Sequence, residues 1–160
     1  LAYRHDDGGV TYHPAMLAAV TYPDGRGASV HRTYLTQDGR KANVSEAKKI
    51  MSGKPLKTAC IRLSAPCDHI GLAEGIETAL AASRRFGLPV WACVSSGLMG
   101  SWESPEGLKR LTVFGDHDAK FAGQAAAYSL AHRMAVKGVA VEVCIPEEVG
   151  TDWADCGGGA

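Results

Sequence analysis

The sequence predicts an α/β fold: a parallel sheet flanked by helices and preceded by a small antiparallel β unit. Three observations predict it. From residue 70 onward, short and continuously apolar runs alternate with helical patterns in the order strand, helix, strand, loop, strand, helix, strand. Upstream, β-favouring stretches are separated by the turn sequences Pro23-Asp24-Gly25 and Asp38-Gly39. Between the two regions, residues 64–69 are polar and contain Pro66, which reads as a junction.

The elements follow in order. Residues 16–22 read as a strand closed by the turn at 23–27. A second strand covers 28–36, with Val30, Thr33 and Tyr34 as its β-favouring residues. Residues 48–51 are ambiguous, and Gly53-Lys54-Pro55 breaks them. A third strand covers 58–63. The pattern then changes. Residues 70–73 form an apolar strand, and a helix over 76–86 is stopped by Gly87 and Pro89. Residues 90–94 are a strand, Ser95-Ser96-Gly97 a polar loop, 100–107 irregular and 111–114 a strand. A helix covers 121–137, because Ala127, Leu130, Ala131 and Met134 fall on one face, and Gly138 ends it. Residues 139–145 are the last strand, stopped by Pro146. Apolar strands joined by helices imply parallel pairing, right-handed crossovers and helices on both faces.

Composition narrows the classes. The 160 residues, 46% of them hydrophobic, suit one domain or one domain with an appendage. No apolar run is long enough for a membrane helix, and the first residues lack the charged-then-apolar pattern of a secretion signal. A cytoplasmic protein with no membrane partner is therefore expected. Leu1 stands where an initiator Met would be, so a piece of a longer protein is expected. Residues 157–160 read as a disordered tail. The five cysteines are odd in number and form no Cys-x-x-Cys, which favours reduced thiols over a disulfide framework. Cys60, Cys67 and His69 lack a fourth ligand for zinc.

Net charge is zero but unevenly placed. Residues 25–62 carry nine bases and two acids, whereas residues 63–160 carry seven bases and twelve acids. Arg32, Lys41, Lys48, Lys49, Lys54 and Arg62 in the basic segment are candidate nucleic-acid contacts, the alternative being a solvated basic face. The acids matter more. Glu74 directly follows one predicted strand, with Gly75 allowing a sharp turn and Glu77 falling in the first helical turn. Asp116 and Asp118 follow another strand and, two residues apart in extended chain, project the same way. Asp152 and Asp155 lie just past the last strand. In a parallel sheet the functional edge is at the strand C-termini, so these carboxylates converge on one edge. Each also has a structural reading: Glu77 as a helix-start acid, Asp116 as a turn former, Asp118 and Asp152 as caps. Hard oxygen ligands favour Mg²⁺ or Mn²⁺ over zinc. Ions of that kind assist phosphoryl transfer by holding attacking and leaving oxygens.

The ordered set Leu72-Ala73-Glu74-Gly75 and Asp116-His117-Asp118 resembles the Toprim domain shared by primases, topoisomerases and certain nucleases. Glu74-Gly75-Ile76-Glu77-Thr78-Ala79-Leu80, Gly123-Gln124-Ala125-Ala126 and Gly150-Thr151-Asp152-Trp153 are similar to the Toprim of phage- and plasmid-encoded primase and primase-helicase proteins. So is the upstream stretch 31–35 with Asp38-Gly39 and Lys41-Ala42. The resemblance covers roughly residues 12–156 and implies a Toprim-like Rossmannoid sheet. It implies a small basic β-rich subdomain at 1–66 and a catalytic domain at 67–156. It further implies that Glu74, Asp116 and Asp118 are catalytic and bind Mg²⁺ or Mn²⁺, with Asp152 and Asp155 as further metal ligands. The implied function is a DNA primase core, a nucleotidyltransferase making short RNA primers from nucleoside triphosphates on a single-stranded DNA template. A replicative helicase is the further partner implied. A Toprim nuclease and a non-catalytic binding module are the alternatives. Ala154 departs from the usual Asn and Gly115 from the usual Ala.

Overall fold

In the computed structural model, residues 1–157 are described, and the tail expected at 157–160 otherwise lies outside the described residues. The strands are β1 (Ala2–Arg4), β2 (Val10–Tyr12), β3 (Ala15–Thr21), β4 (Gly27–Tyr34), β5 (Lys48–Ile50), β6 (Cys60–Ile61), β7 (His69–Ala73), β8 (Val90–Ala92), β9 (Arg110–Phe114) and β10 (Ala140–Cys144). The helices are α1 (Ile76–Phe86), α2 (Ser96–Ser101) and α3 (Ala122–Val136), followed by a 3₁₀ turn at Asp155–Gly157. β1 and β2 pair with each other; the other eight strands form one sheet in the order β10-β9-β7-β8-β6-β3-β4-β5.

The apolar strands pair as their pattern dictates. β10, β9, β7 and β8 are parallel neighbours, and β3, β4 and β5 are an antiparallel meander. The two halves are joined by β6, which pairs antiparallel with β3 through Val20↔Ile61 and with β8 through Ile61↔Ala92. The sheet is therefore continuous across the junction at 64–69.

Alternation along the strands sorts the core onto two faces. Ile70, Leu72, Trp91, Leu111 and Val113 meet α2 through Met99 and α3 through Ala127, Leu130 and Met134. Ala73, Val90, Ala92 and Phe114 meet α1 through Ile76, Ala79 and Ala82, together with Val20 and Ile61. Helices thus cover both faces.

One local feature differs from the sequence expectation, and two more fill places it left open. Ser95-Ser96-Gly97 opens a short helix rather than a loop, because the Ser95 hydroxyl accepts from the Leu98 N–H at 3.2 Å and caps α2. Residues 48–50 are a strand, held by β4. The pair β1–β2 is anchored by Tyr3, which packs edge-on against Tyr34 at 5.1 Å and bonds the Ser45 hydroxyl at 2.7 Å. All five cysteines are free, and among the described residues no helix is long and apolar enough to cross a membrane.

Candidate active site

The acids sit at the C-terminal ends of neighbouring parallel strands. Glu74 follows β7 and Asp116 follows β9 after one residue, Gly115, whose N–H still donates to Cys144 O at 3.0 Å. Gly115 has no side chain for a packing reason: a Cβ there would lie 2.6 Å from Ile145 Cδ1 and 2.9 Å from Ala127 Cβ. Asp118 is fixed by the start of α3. The Gly123 N–H donates to Asp118 Oδ2 at 2.7 Å, and Gln124 closes a ring with the Asp118 backbone at 3.0 and 3.2 Å. α3 approaches so closely that a Cβ on Gly123 would lie 2.7 Å from the Asp116 carbonyl oxygen.

The loop beyond β10 is drawn into the same edge. His117 points away from the acids; its Nδ1–H donates to the Pro146 carbonyl at 2.8 Å. Its backbone exchanges hydrogen bonds with Thr151 and Gly150. Asp152 accepts from the Thr78 hydroxyl of α1 at 3.1 Å and from the Ala154 N–H at 2.6 Å. Asp155 Oδ2 accepts from the Asp152 N–H at 3.0 Å. Asp152 and Asp155 therefore cap the closing turn and also add charge beside Asp116. Thr78, Gln124 and His117 position the acids, and sequence reading assigned them no such role. The partners of Thr78 and His117 are distant in the chain and carry no local signal, whereas Gln124 lies six residues from Asp118.

The electrostatics record the crowding. Asp116 is pushed up to about 7, first by burial and then by the charges of Glu74, Asp152, Asp118 and Asp155. Glu74 is raised by burial and by Asp118, against the Ser96 amide and Lys48. Two residues before Ser96, the chain turns at Val94, a β-branched residue with φ 74°. Backbone strain of this kind costs about 1–3 kcal/mol and gathers at functional turns.

A divalent cation fits this edge. Asp116 Oδ1 is buried with no hydrogen-bond partner, although the other acids nearby are hard oxygen donors. Among the described residues, no three carboxylates, imidazoles or thiols already stand at coordinating distance from a common point. The missing ligand atoms would come from water and substrate oxygens, as Mg²⁺ sites ordinarily require.

The basic candidates divide. Lys48 faces the acidic edge, with Nζ 2.9 Å from both Glu77 oxygens. That carboxylate, pushed up by burial, is held low on balance by Lys48 and Lys41. Lys41 and Lys54 are exposed. Lys49 lies 3.7 Å from Glu46 and 4.5 Å from the centre of the Tyr3 ring. Arg32 lies over the Tyr34 ring at 5.7 Å. Arg62 is turned inward, donating to the Tyr22 and Pro23 carbonyls and lying 4.9 Å over the Trp91 ring.

Residues 69–158 match the family described as the Toprim domain. The chain belongs to the Toprim family. Residues 1–63 match a second family, described as a domain of unknown function (DUF7146). No curated protein matches this Toprim chain by sequence. Among solved structures, it is similar to a DNA primase domain from Pseudomonas aeruginosa, at 15% identity and TM-score 0.58, over 97% of this chain and 51% of that one. It is similar to the primase fragment of the bacteriophage T7 primase-helicase protein at 16% identity and TM-score 0.59, over 97% and 60%. It is similar, too, to a DnaG primase catalytic domain bound to single-stranded DNA, at 12% identity and TM-score 0.57, over 97% and 52%. The Toprim chain thus spans only 51–60% of the length of these primase chains. Likeness at this identity carries the fold, which is a primase-like Toprim fold, as the sequence motifs implied.

Proposed function

We propose that this chain is the catalytic core of a DNA primase, synthesising short RNA primers on single-stranded DNA by metal-dependent nucleotidyl transfer. The observation that carries the reading is the convergence of Glu74, Asp116, Asp118, Asp152 and Asp155 on one sheet edge, with Asp116 Oδ1 buried and unpartnered at its centre. Such crowding of like charge is costly unless a cation offsets it. The primase-like Toprim fold supports the choice of reaction class. A 3′-hydroxyl attacks the α-phosphate of the incoming nucleoside triphosphate, and pyrophosphate leaves. Mg²⁺ or Mn²⁺, held by Glu74, Asp116 and Asp118 with Asp152 and Asp155 in support, would neutralise charge on the phosphates. Gln124 and the Gly123 N–H keep Asp118 aimed at the edge, and Thr78 keeps Asp152 beside it.

In this reading residues 1–66 form a basic subdomain beside the catalytic domain at 67–156. Arg32, Lys41, Lys48, Lys49 and Lys54 contribute positive potential along the template path. Arg62, committed to Trp91 and two carbonyls, contributes by fixing β6 against β8. A cytoplasmic location and a helicase partner belong to the same proposal. The test is incorporation of labelled ribonucleotides on single-stranded DNA with Mg²⁺ or Mn²⁺. Asp116→Ala and Asp118→Ala should each abolish it in folded protein, and incorporation unaffected by both would overturn the assignment. Shortening of an end-labelled oligonucleotide without nucleotides would instead make the chain a nuclease. Neither activity would leave a binding module.

A further inference from the structure

Two of the five free thiols lie side by side in the core, and nothing at the acidic edge uses them. β6 pairs antiparallel with β8 through Ile61↔Ala92, so one residue further along Cys60 stands opposite Cys93. Ile61 and Ala92 face α1, whereas Cys60 and Cys93 both belong to the core on the α2–α3 side. The two thiols therefore share a face as well as a register position. Their backbones turn away from each other. The Cys93 N–H donates to Ala73 O of β7 at 2.8 Å, and the Cys60 carbonyl accepts from the Thr21 hydroxyl of β3 at 3.4 Å. That makes the position a non-hydrogen-bonded pair, the kind in which opposite side chains come closest, with Cα atoms about 4.5 Å apart. A disulfide bridges Cα separations of about 4.4–6.8 Å. The Cys93 thiol is pushed well above its ordinary value, first by burial and then by the charge of Cys60, as close neighbours require.

Burial works against reaction in the closed protein. Cys60 is 3% and Cys93 0% exposed, and burial raises both thiols, so little thiolate is offered. Reaction needs local opening, and β6 is the place for it, being two residues long and entered by a turn at Thr58 with φ 73°.

We propose that Cys60 and Cys93 are a reversible redox pair, which hydrogen peroxide joins as a cross-strand disulfide when β6 opens. One thiolate attacks the peroxide. An S–O bond forms, the O–O bond breaks and the departing hydroxide takes a proton to leave as water, giving a sulfenic acid. The other thiolate attacks that sulfur. The S–S bond forms, the S–O bond breaks and a second water leaves. The two sulfurs lose two electrons and the peroxide gains them. Because the Cys93 N–H holds Ala73, the residue before Glu74, the bond ties β6 to the root of the acidic edge.

The test uses the whole 160-residue chain with Cys67, Cys144 and Cys156 replaced by Ser, so that only the two buried thiols remain. Thermal unfolding checks that this variant folds; if it does not, the wild type is mapped peptide by peptide instead. After peroxide treatment, free thiols are alkylated in denaturant and the digest is read by mass spectrometry. The expected result is joint loss of both thiols, a monomer lighter by two hydrogen atoms, a linked Cys60–Cys93 peptide, and recovery of both thiols with dithiothreitol. The Tm should rise by about 6–12 °C, since the bond closes a loop of roughly thirty residues in the unfolded chain. Urea below the unfolding transition should speed the loss at least twofold, because opening admits the peroxide. Two thiols that persist while the exposed Cys67 of the wild type is consumed would overturn the proposal. So would sulfinic acid in place of the link, a dimer joined through either cysteine, or a rate that urea leaves unchanged. Neither metal nor nucleotide enters the experiment, so its result is independent of the reaction at the acidic edge.

Discussion

Asp116→Asn should stabilise the metal-free protein at alkaline pH and do nothing at acid pH. The carboxyl titrates near 7 in the fold, against 3.8 as its ordinary value. A group whose folded value is raised resists ionisation more in the folded chain than in the unfolded one. Its penalty is absent below about pH 4, grows as pH rises between the two values, and is complete above about 7. At 1.36 kcal/mol per pH unit the gap corresponds to roughly 4 kcal/mol, and solvent reaching a half-buried group reduces the expected effect to about 2 kcal/mol. For a chain of this length that is a rise in Tm of about 4–8 °C at pH 8. The assay is thermal unfolding followed by circular dichroism in a chelator, at pH 4 and pH 8. Adding Mg²⁺ at pH 8 should then raise the Tm of the wild type toward that of the Asn variant, whose own Tm moves less. A gain of equal size at both pH values, or a variant less stable at pH 8, would refute the electrostatic account of the edge.

Three further expectations concern individual side chains. Gly123→Ala should lower the urea midpoint by the equivalent of about 1–3 kcal/mol, because its Cβ meets the Asp116 carbonyl at 2.7 Å; an unchanged midpoint would mean that α3 can back away. Thr78→Val should cost about 0.5–1.5 kcal/mol in the same denaturation measurement, because Asp152 Oδ2 then has no hydroxyl to accept from, and a neutral result would show the bond to be idle. Replacing both exposed Lys41 and Lys54 by Gln should flatten the salt dependence of single-stranded DNA binding by about 0.7 in log–log slope for each phosphate no longer neutralised. An unchanged slope, measured by fluorescence anisotropy, would remove those two lysines from the strand's path.

What the sequence disclosed depended on how local each signal was. The helix read at 76–86 is observed at Ile76–Phe86, because both ends are written into neighbours: Gly75 is extended and Gly87 takes the left-handed conformation. α2 escaped notice. Six residues including two glycines show no periodicity, and its only mark is the capping hydroxyl of Ser95. β1 and β2 are three residues each, too short for alternation to register. Glu74, Asp116 and Asp118 were legible as site candidates because each closely follows an apolar strand. Thr78 and Asp152 are 74 residues apart, and Lys48 and Glu77 are 29 apart, so nothing local announces either pairing. Arg62 illustrates a different limit. A count of charges treats a guanidinium stacked on Trp91 like one facing water. Val94 is a third kind: a β-branched residue in an apolar run reads as strand, yet it turns with φ 74°.

The junction strand β6 has a mechanical consequence. Hydrogen-bonded on one side to the antiparallel meander and on the other to the parallel half, it leaves no hinge line in the backbone between Lys48 and Glu74. Separating the two halves would break the ladder on one flank of β6 or the other. The link is narrow: two register pairs hold β6 to β3 and one, Ile61↔Ala92, holds it to β8, so Ile61 alone carries a pair on both flanks. Loss of the Ile61 side chain from the core would therefore loosen the parallel and antiparallel halves from each other before it disturbed the pairing within either.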